Sequence, residues 1–246
     1  MIHPVIEVLK KLRLTGIAEA LENQLKNPES KNLLFEERLA LLVNNEIVIR
    51  ENKRLQNRLK KAKFKHQACV HDILYEPSRK LDRSLMLSLE NCDWITKHRN
   101  ILITGATGTG KSYIGEALAH NACLKGASVL RIQFPRIFHL LSSAKADGSY
   151  LKIQGELANA DLLLIDDFGI APFNDENRRD FLELIDDRYG KKPTIITSQL
   201  PVKDWHGAIG DSTLADAILD RVIHNAYRIP IEGDSMRKKL SKTKEQ

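Results

Sequence analysis

Cysteine is scarce in this 246-residue chain, where Cys69, Cys92 and Cys123 are the whole complement. So sparse and odd a set excludes a disulfide framework and suits a reducing compartment. Long apolar runs are missing too, since no stretch approaches the ~20 residues that a membrane span needs. The first residues alternate apolar with charged side chains instead of building the apolar centre of a signal peptide. The expected location is therefore cytoplasmic, with no membrane partner. Metal-ligand pairs are also few: His66-x-x-Cys69-x-His71 has no answering cysteine pair, so packing or surface roles are its simpler reading against zinc. What remains, 42% hydrophobic and 28% charged, is the composition of a soluble globular protein. The length suits one α/β domain with a smaller appendage. A net charge of +6 is compatible with a nucleic acid or another anionic surface, and its distribution matters more than its sum.

The stretch from Asn100 to Glu116 carries the clearest chemistry. Ile101, Leu102 and Ile103 read as a short buried strand. Gly105-Ala106-Thr107-Gly108-Thr109-Gly110-Lys111-Ser112 then fits G-x-x-x-x-G-K-[ST], and helical spacing resumes through Tyr113, which we count in the same site. Glycines let backbone N–H groups curl around phosphate oxygens, and the helix N-terminus adds partial positive charge. Lys111 can reach β and γ phosphates, and the Ser112 hydroxyl can hold Mg²⁺.

Upstream, Val5, Leu9, Leu12, Ile17, Leu21 and Leu25 follow amphipathic spacing, with Gly16 the expected interruption and Asn27-Pro28 the end. A second helix is expected from Ser30 as N-cap, with a break at Asn44-Asn45. A third, Glu46 to Lys65, holds Arg50, Lys53, Arg54, Arg58, Lys60, Lys61, Lys63 and Lys65 against one further acid, Glu51. Such a face can simply be solvated. The near absence of i,i+4 acids leaves self-repulsion that an anionic partner would relieve, so these eight residues are the candidates for DNA contact, mostly to phosphates.

Residues 66 to 99 read as lead-in helices at the edge of the following domain. Beyond the loop, helix 112–125, strand 128–134, helices 136–144 and 150–159, strand 161–166, helix 175–189 and strand 194–197 alternate. That order indicates a parallel sheet covered on both faces. Leu162-Leu163-Leu164-Ile165 ends in Asp166-Asp167, and carboxylates at the C-terminal end of a parallel strand face the ligand crevice. Asp166 is the expected Mg²⁺ partner of Ser112, and Asp167 is placed to orient or deprotonate water. If strand 194–197 lies beside the first and third strands, Ser198 can bond the γ-phosphate or that water. Arg221 and Arg237 are candidates for neutralising transition-state charge.

These motifs, with LTG at residues 14–16, FEERL at 35–39, ANADLLLIDDFG at 158–169, DRYG at 187–190, TIITSQLP at 194–201, ADAILDRVIH at 215–224 and GDSMRK at 233–238, resemble the IstB-like ATPases of IstA/IstB-type insertion sequences. The resemblance implies an α/β fold, an AAA+ P-loop NTPase with a parallel sheet between helices and a reduced C-terminal lid (69–246), preceded by a small all-α DNA- or partner-binding domain (1–68). It implies ATP and Mg²⁺ as cofactors. Asp166 and Asp167 would be the Walker B pair, Ser198 sensor 1, Arg221 a finger reaching a neighbouring subunit and Arg237 sensor 2. The second Walker B acid is usually glutamate, so Asp167 implies slow intrinsic hydrolysis. Implied partners are double-stranded DNA, an IstA-type transposase and further copies of the chain, assembled with ATP. A DnaC/DnaI-like helicase loader shares this core and is the alternative. A small-molecule P-loop kinase fits less well with the paired acids and the basic helix.

Overall fold

The computed structural model describes residues 4–236. They form two compact units, one reaching to Asn57 and the other starting at Arg58.

The first unit contains α1 (Pro4–Lys11), α2 (Thr15–Lys26) and the start of α3 (Phe35–Ala62), which runs on past the division. The interruption falls at Arg13, whose φ is 61°, and not at Gly16, which lies in the first turn of α2. Gly16 instead makes room for a neighbour. A Cβ there would sit 2.6 Å from Glu46 Cα, so its hydrogen lets two helices cross in backbone contact. Ser30 caps no helix. It lies in a 3-10 turn (Pro28–Asn32), and α3 starts later, where Glu37 Oε2 accepts from Leu34 N–H at 2.9 Å. Nor does the chain break at Asn44-Asn45. Asn45 Nδ2 donates to Gly16 O at 2.7 Å, and Glu46 Oε2 accepts from Gly16 N–H at 2.7 Å and Ile17 N–H at 3.1 Å, so both side chains serve α2 while their backbone stays helical.

In the second unit, residues 58–68 bond to the body: Arg58 Nε donates to Cys123 O, and Lys65 and His66 N–H donate to Glu116. Helices α4 (Arg83–Glu90) and α5 (Asp93–Thr96) follow, burying Met86, Leu89 and Trp94. The sheet takes the order β2 (Val129–Gln133), β3 (Leu162–Phe168), β4 (Thr194–Ser198), β1 (Asn100–Gly105), β5 (Ala226–Ile231), with every pair parallel. Between the strands lie α6 (Lys111–Leu124), α7 (Phe134–Asp147), α8 (Tyr150–Asn159), α9 (Asp175–Arg188), α10 (Trp205–Ile209) and α11 (Ser212–Ile223). Strand β5 has no apolar run to announce it, because Arg228 and Pro230 interrupt it. A proline is tolerated there since β5 is an edge strand.

The core is aliphatic on the strands and aromatic behind them. Phe134 packs on Phe168 and Phe173 at 4.9 Å, and Phe168 on Trp205 at 4.5 Å. Phe168 directly follows Asp167, so this cluster anchors the strand end that carries the acids.

Candidate nucleotide-binding site

Strand β1 delivers the glycine loop and α6 leaves it, with Gly110 at φ 93° as the residue before the helix. Gly108 shows why the loop must be glycine-rich: its φ is 85°, and a Cβ would sit 2.3 Å from Ser235 Oγ. The C-terminal segment closes over it there, Met236 N–H donating to Gly108 O at 2.9 Å. Lys111 is buried in the first turn of α6, its Nζ donating to Ala106 O at 2.8 Å across the loop.

Loop and acids meet directly. Ser112 Oγ donates to Asp166 Oδ1 at 2.7 Å, and Thr197 Oγ1 donates to the same oxygen at 2.6 Å. This cluster of hard oxygens, a hydroxyl beside a carboxylate at a phosphate loop, fits Mg²⁺, which takes one or two protein oxygens and completes its shell with phosphate and water. Asp166 and Asp167 lie in a bulge of β3, where pairing with β4 slips between Ile165 and Phe168. Asp167 has φ 62°, the left-handed region that aspartate tolerates better than most residues. Burial, and next the charge of Asp166, raise its carboxyl above the usual range, with Lys111 opposing. A carboxylate so raised is a stronger base toward water.

A cavity of about 530 Å³ runs along this arrangement. Its charged wall holds Lys111, Ser112, Asp166 and Asp167, and Tyr113 lines it too. Ile73, Leu74 and Met236 give it an apolar wall. Phosphates joined to a flat apolar base need that combination. The buried Arg79 ties the walls together, donating from Nη2 to Thr109 O at 2.9 Å and from Nη1 to Leu74 O.

The sequence matches the family of IstB-like ATP binding proteins over residues 7–244. The chain belongs to that family. An insertion sequence ATP-binding protein of Sinorhizobium fredii is 45% identical over 236 residues, covering 96% of this chain and 96% of the relative. Among solved structures, AMPPCP-bound DnaA of Aquifex aeolicus superposes with a TM-score of 0.59 at 17% identity, over 74% of this chain and 56% of that one. The DnaC helicase loader gives 0.57 at 18% identity, over 70% of this chain and 100% of that one. At such identities the likeness is one of fold: the parallel five-stranded sheet with its helices and phosphate loop is an AAA+ P-loop-like fold.

In this IstB-like chain the remaining candidates fall in several places. Strand β4 lies between β1 and β3, the condition for Ser198 to approach the site. Its hydroxyl is nevertheless fully buried, donating to Phe168 O at 2.8 Å and accepting from Leu200 N–H at 3.1 Å. The neighbours on either side reach the site: Thr197 touches Asp166, and Gln199 lines the cavity and accepts from Thr107 Oγ1 at 2.7 Å. Side chains alternate along a strand, so a count wrong by one residue exchanges the inward and outward groups. Arg221 sits on α11 near Asn100, where β1 begins, and pairs with Asp186 at 2.6 Å. The length of β1, roughly 17 Å, separates that end of the strand from the phosphate loop. Arg237 lies outside the described residues.

The basic residues also divide. Arg50 pairs with Glu46 at 2.6 Å, Arg58 holds the Cys123 carbonyl, and Lys65 lines the cavity. Lys53, Arg54, Lys60, Lys61 and Lys63 have no ion pair among the described residues. Two charges invisible to motif reading lie beside the site, Arg131 on β2 and Glu116 on α6. Their signal is a charge inside an apolar element, VLRIQ and IGEALA. Among the described residues no helix is long and apolar enough to cross a membrane, and no group of His, Cys, Asp and Glu has metal-binding geometry by itself.

Proposed function

We propose that this chain is an ATP-dependent DNA-binding helper of insertion-sequence transposition, an ATPase that assembles with further copies of itself on double-stranded DNA and directs an IstA-type transposase. The observation that carries the reading is the Ser112–Asp166 bond on the wall of the nucleotide-sized cavity. In this reading Lys111 and the loop N–H groups neutralise ATP phosphates, and Ser112 and Asp166 hold Mg²⁺, which screens phosphate charge and draws electrons from the γ-phosphorus. Asp167 takes the proton of the water that attacks the γ-phosphorus as the bond to the β,γ-bridging oxygen breaks and ADP leaves. Gln199 steadies the loop at Thr107, and Ser198 holds the strand end through Phe168 O. Arg221, set at the far end of β1, serves the site of a neighbouring copy, and Arg237 is the sensor 2 candidate. The helical N-terminal residues to 68 carry DNA and partner contacts, and 69–246 the ATPase. The near full-length identity to an insertion sequence protein supports this reading over a helicase loader.

The test is duplex retention on filters with and without ATP across a salt series. Lys111→Ala is expected to lose nucleotide binding and ATP-dependent retention together. Replacing Lys60, Lys61 and Lys63 by Ala lowers the slope of log affinity against log salt by roughly three. ATP affinity surviving in Lys111→Ala removes the loop from the mechanism, and an unchanged slope moves the DNA surface elsewhere.

A further inference from the structure

Asp166 is held on both oxygens. Oδ1 accepts from Ser112 and Thr197, and Oδ2 accepts from Arg131 Nη2 at 2.5 Å. Arg131 is shared: its Nε lies 3.0 Å from Glu116 Oε1. Glu116 in turn accepts from His66 N–H at 2.7 Å and Lys65 N–H at 3.2 Å, and its Oε2 lies 3.0 Å from His66 Nδ1. All three central side chains are withdrawn from water, with 11% of Arg131, 1% of Glu116 and 4% of Asp166 exposed. One guanidinium therefore stands between two buried carboxylates, and the outer one is fastened to the residues that follow α3.

We infer that Arg131 is a positioning residue that sets how readily Asp166 takes a divalent cation, and that Glu116 tunes it by drawing the guanidinium away from Asp166. The inference rests on the reading of Ser112 and Asp166 as metal-holding groups. A cation sharing Asp166 with Arg131 must lie against a fixed positive charge. Where water is excluded such repulsion is strong, and the pull of Glu116 on the same guanidinium offsets it. Lys65 and His66 fix Glu116 through backbone N–H groups, so a shift of the chain leaving α3 alters the balance at Asp166. The end of the basic helix and the metal carboxylate are thus joined by one chain of contacts.

Removing the two charges has opposite consequences, which mere loosening of the site would not produce. The experiment titrates Mn²⁺ into the full chain with a non-hydrolysable ATP analogue, reading free Mn²⁺ by electron paramagnetic resonance. The affinity for the analogue in EDTA serves as the control for folding. Arg131→Gln is expected to bind Mn²⁺ more tightly, on the order of tenfold, and Glu116→Gln more weakly by a similar factor, with both keeping wild-type affinity for the metal-free analogue. Shifts in the same direction, or none, overturn the inference. Should Glu116→Gln fail to fold, Arg131→Lys decides. A value between wild type and Arg131→Gln supports control by the charge, and a value equal to Arg131→Gln overturns it. If wild-type protein binds the analogue but shows no Mn²⁺ site at all, the reading of Ser112 and Asp166 fails first and the inference falls with it.

Discussion

In the unit that ends at Asn57, Ile6 and Ala18 are the hydrophobic residues that become buried among those described, while Val5 and Val8 of α1, Leu12 just after it, and Phe35 and Leu39 of α3 stay exposed. The unit from Arg58 buries long runs of strand, such as Leu162 to Ile165, together with Phe134, Phe181 and Trp205. The first unit is registered by directional contacts: Glu46 and Asn45 on the start of α2, Gln24 and Arg38 across the same helix pair, and the Gly16 crossing. The second is registered by volume and ladder pairing. A hydrogen bond contributes only about 1 kcal/mol net, whereas a buried leucine or phenylalanine contributes about 1.5–3. The first unit therefore has precise geometry with little reserve, and the second has reserve enough to hold Asp167 in a left-handed conformation that costs about 1–3 kcal/mol.

The largest expected effect tests the second unit at its buried polar peg. Arg188 is buried, and burial pushes its guanidinium down to about 10, still charged at neutral pH. It donates to the carbonyls of Leu157, Ala158, Ala160 and Pro193 and to Thr194 Oγ1, tying α8, α9 and β4 together. Arg188→Ala takes this donor from the carbonyls that close α8, leaves Pro193 O with Leu163 N–H at 3.4 Å, and opens a cavity beside them. A loss of about 3–5 kcal/mol is expected in urea unfolding followed by tryptophan fluorescence, since both Trp94 and Trp205 lie in this unit. A loss below about 1 kcal/mol would show that water replaces the guanidinium without cost.

Gly16→Ala attacks the first unit instead. The added methyl meets Glu46 Cα and the Asn45 carbonyl, backbone atoms that cannot turn aside, at 2.6 and 2.9 Å. Overpacking of this kind costs about 1–3 kcal/mol. With so thin a core, the amides of α2 are expected to lose hydrogen-exchange protection while those of β1 and β4 keep theirs. Equal loss in both would mean that the two units unfold as one.

The same contrast governs what the sequence makes legible. The alternation of strands and helices, the phosphate loop and the Asp166-Asp167 strand end can be read because each is a local pattern with a fixed period. Misplacements arise where a side chain answers a distant residue. Asn44-Asn45 looks like a helix break until Asn45 and Glu46 are seen bonded to Gly16. Ser198 and its neighbour Thr197 differ only in which face of β4 they occupy, and Gln199 follows just past its end. Arg131 and Glu116 explain one another through space, and neither carries a motif. Strand β5 depends on the edge of β1, and nothing within its own six residues compensates for Pro230.

Acid should separate the units by a smaller margin. Glu46 is held below the usual carboxylate range by its bond from Arg50, with burial opposing and the Ile17 and Gly16 N–H groups helping. In the second unit burial alone would raise Asp161, but Lys192 at 2.5 Å and both donors of Ser128 bring it down to about 2. Both folded-state values lie below those of the unfolded chain. Their stabilisation is therefore complete above roughly pH 4–5 and is lost as pH falls, for Asp161 between about 4 and about 2. Asp161 is partly exposed, and solvent screening reduces its share to about 1 kcal/mol, which the buried sheet can lose without unfolding. The unit around Glu46 has no such reserve. Amide NMR signals followed from about pH 6 to about pH 2.5 are expected to fade first in α2 and later, if at all, in β3. Simultaneous fading would mean that the polar crossing at Gly16 is not what holds the N-terminal helices.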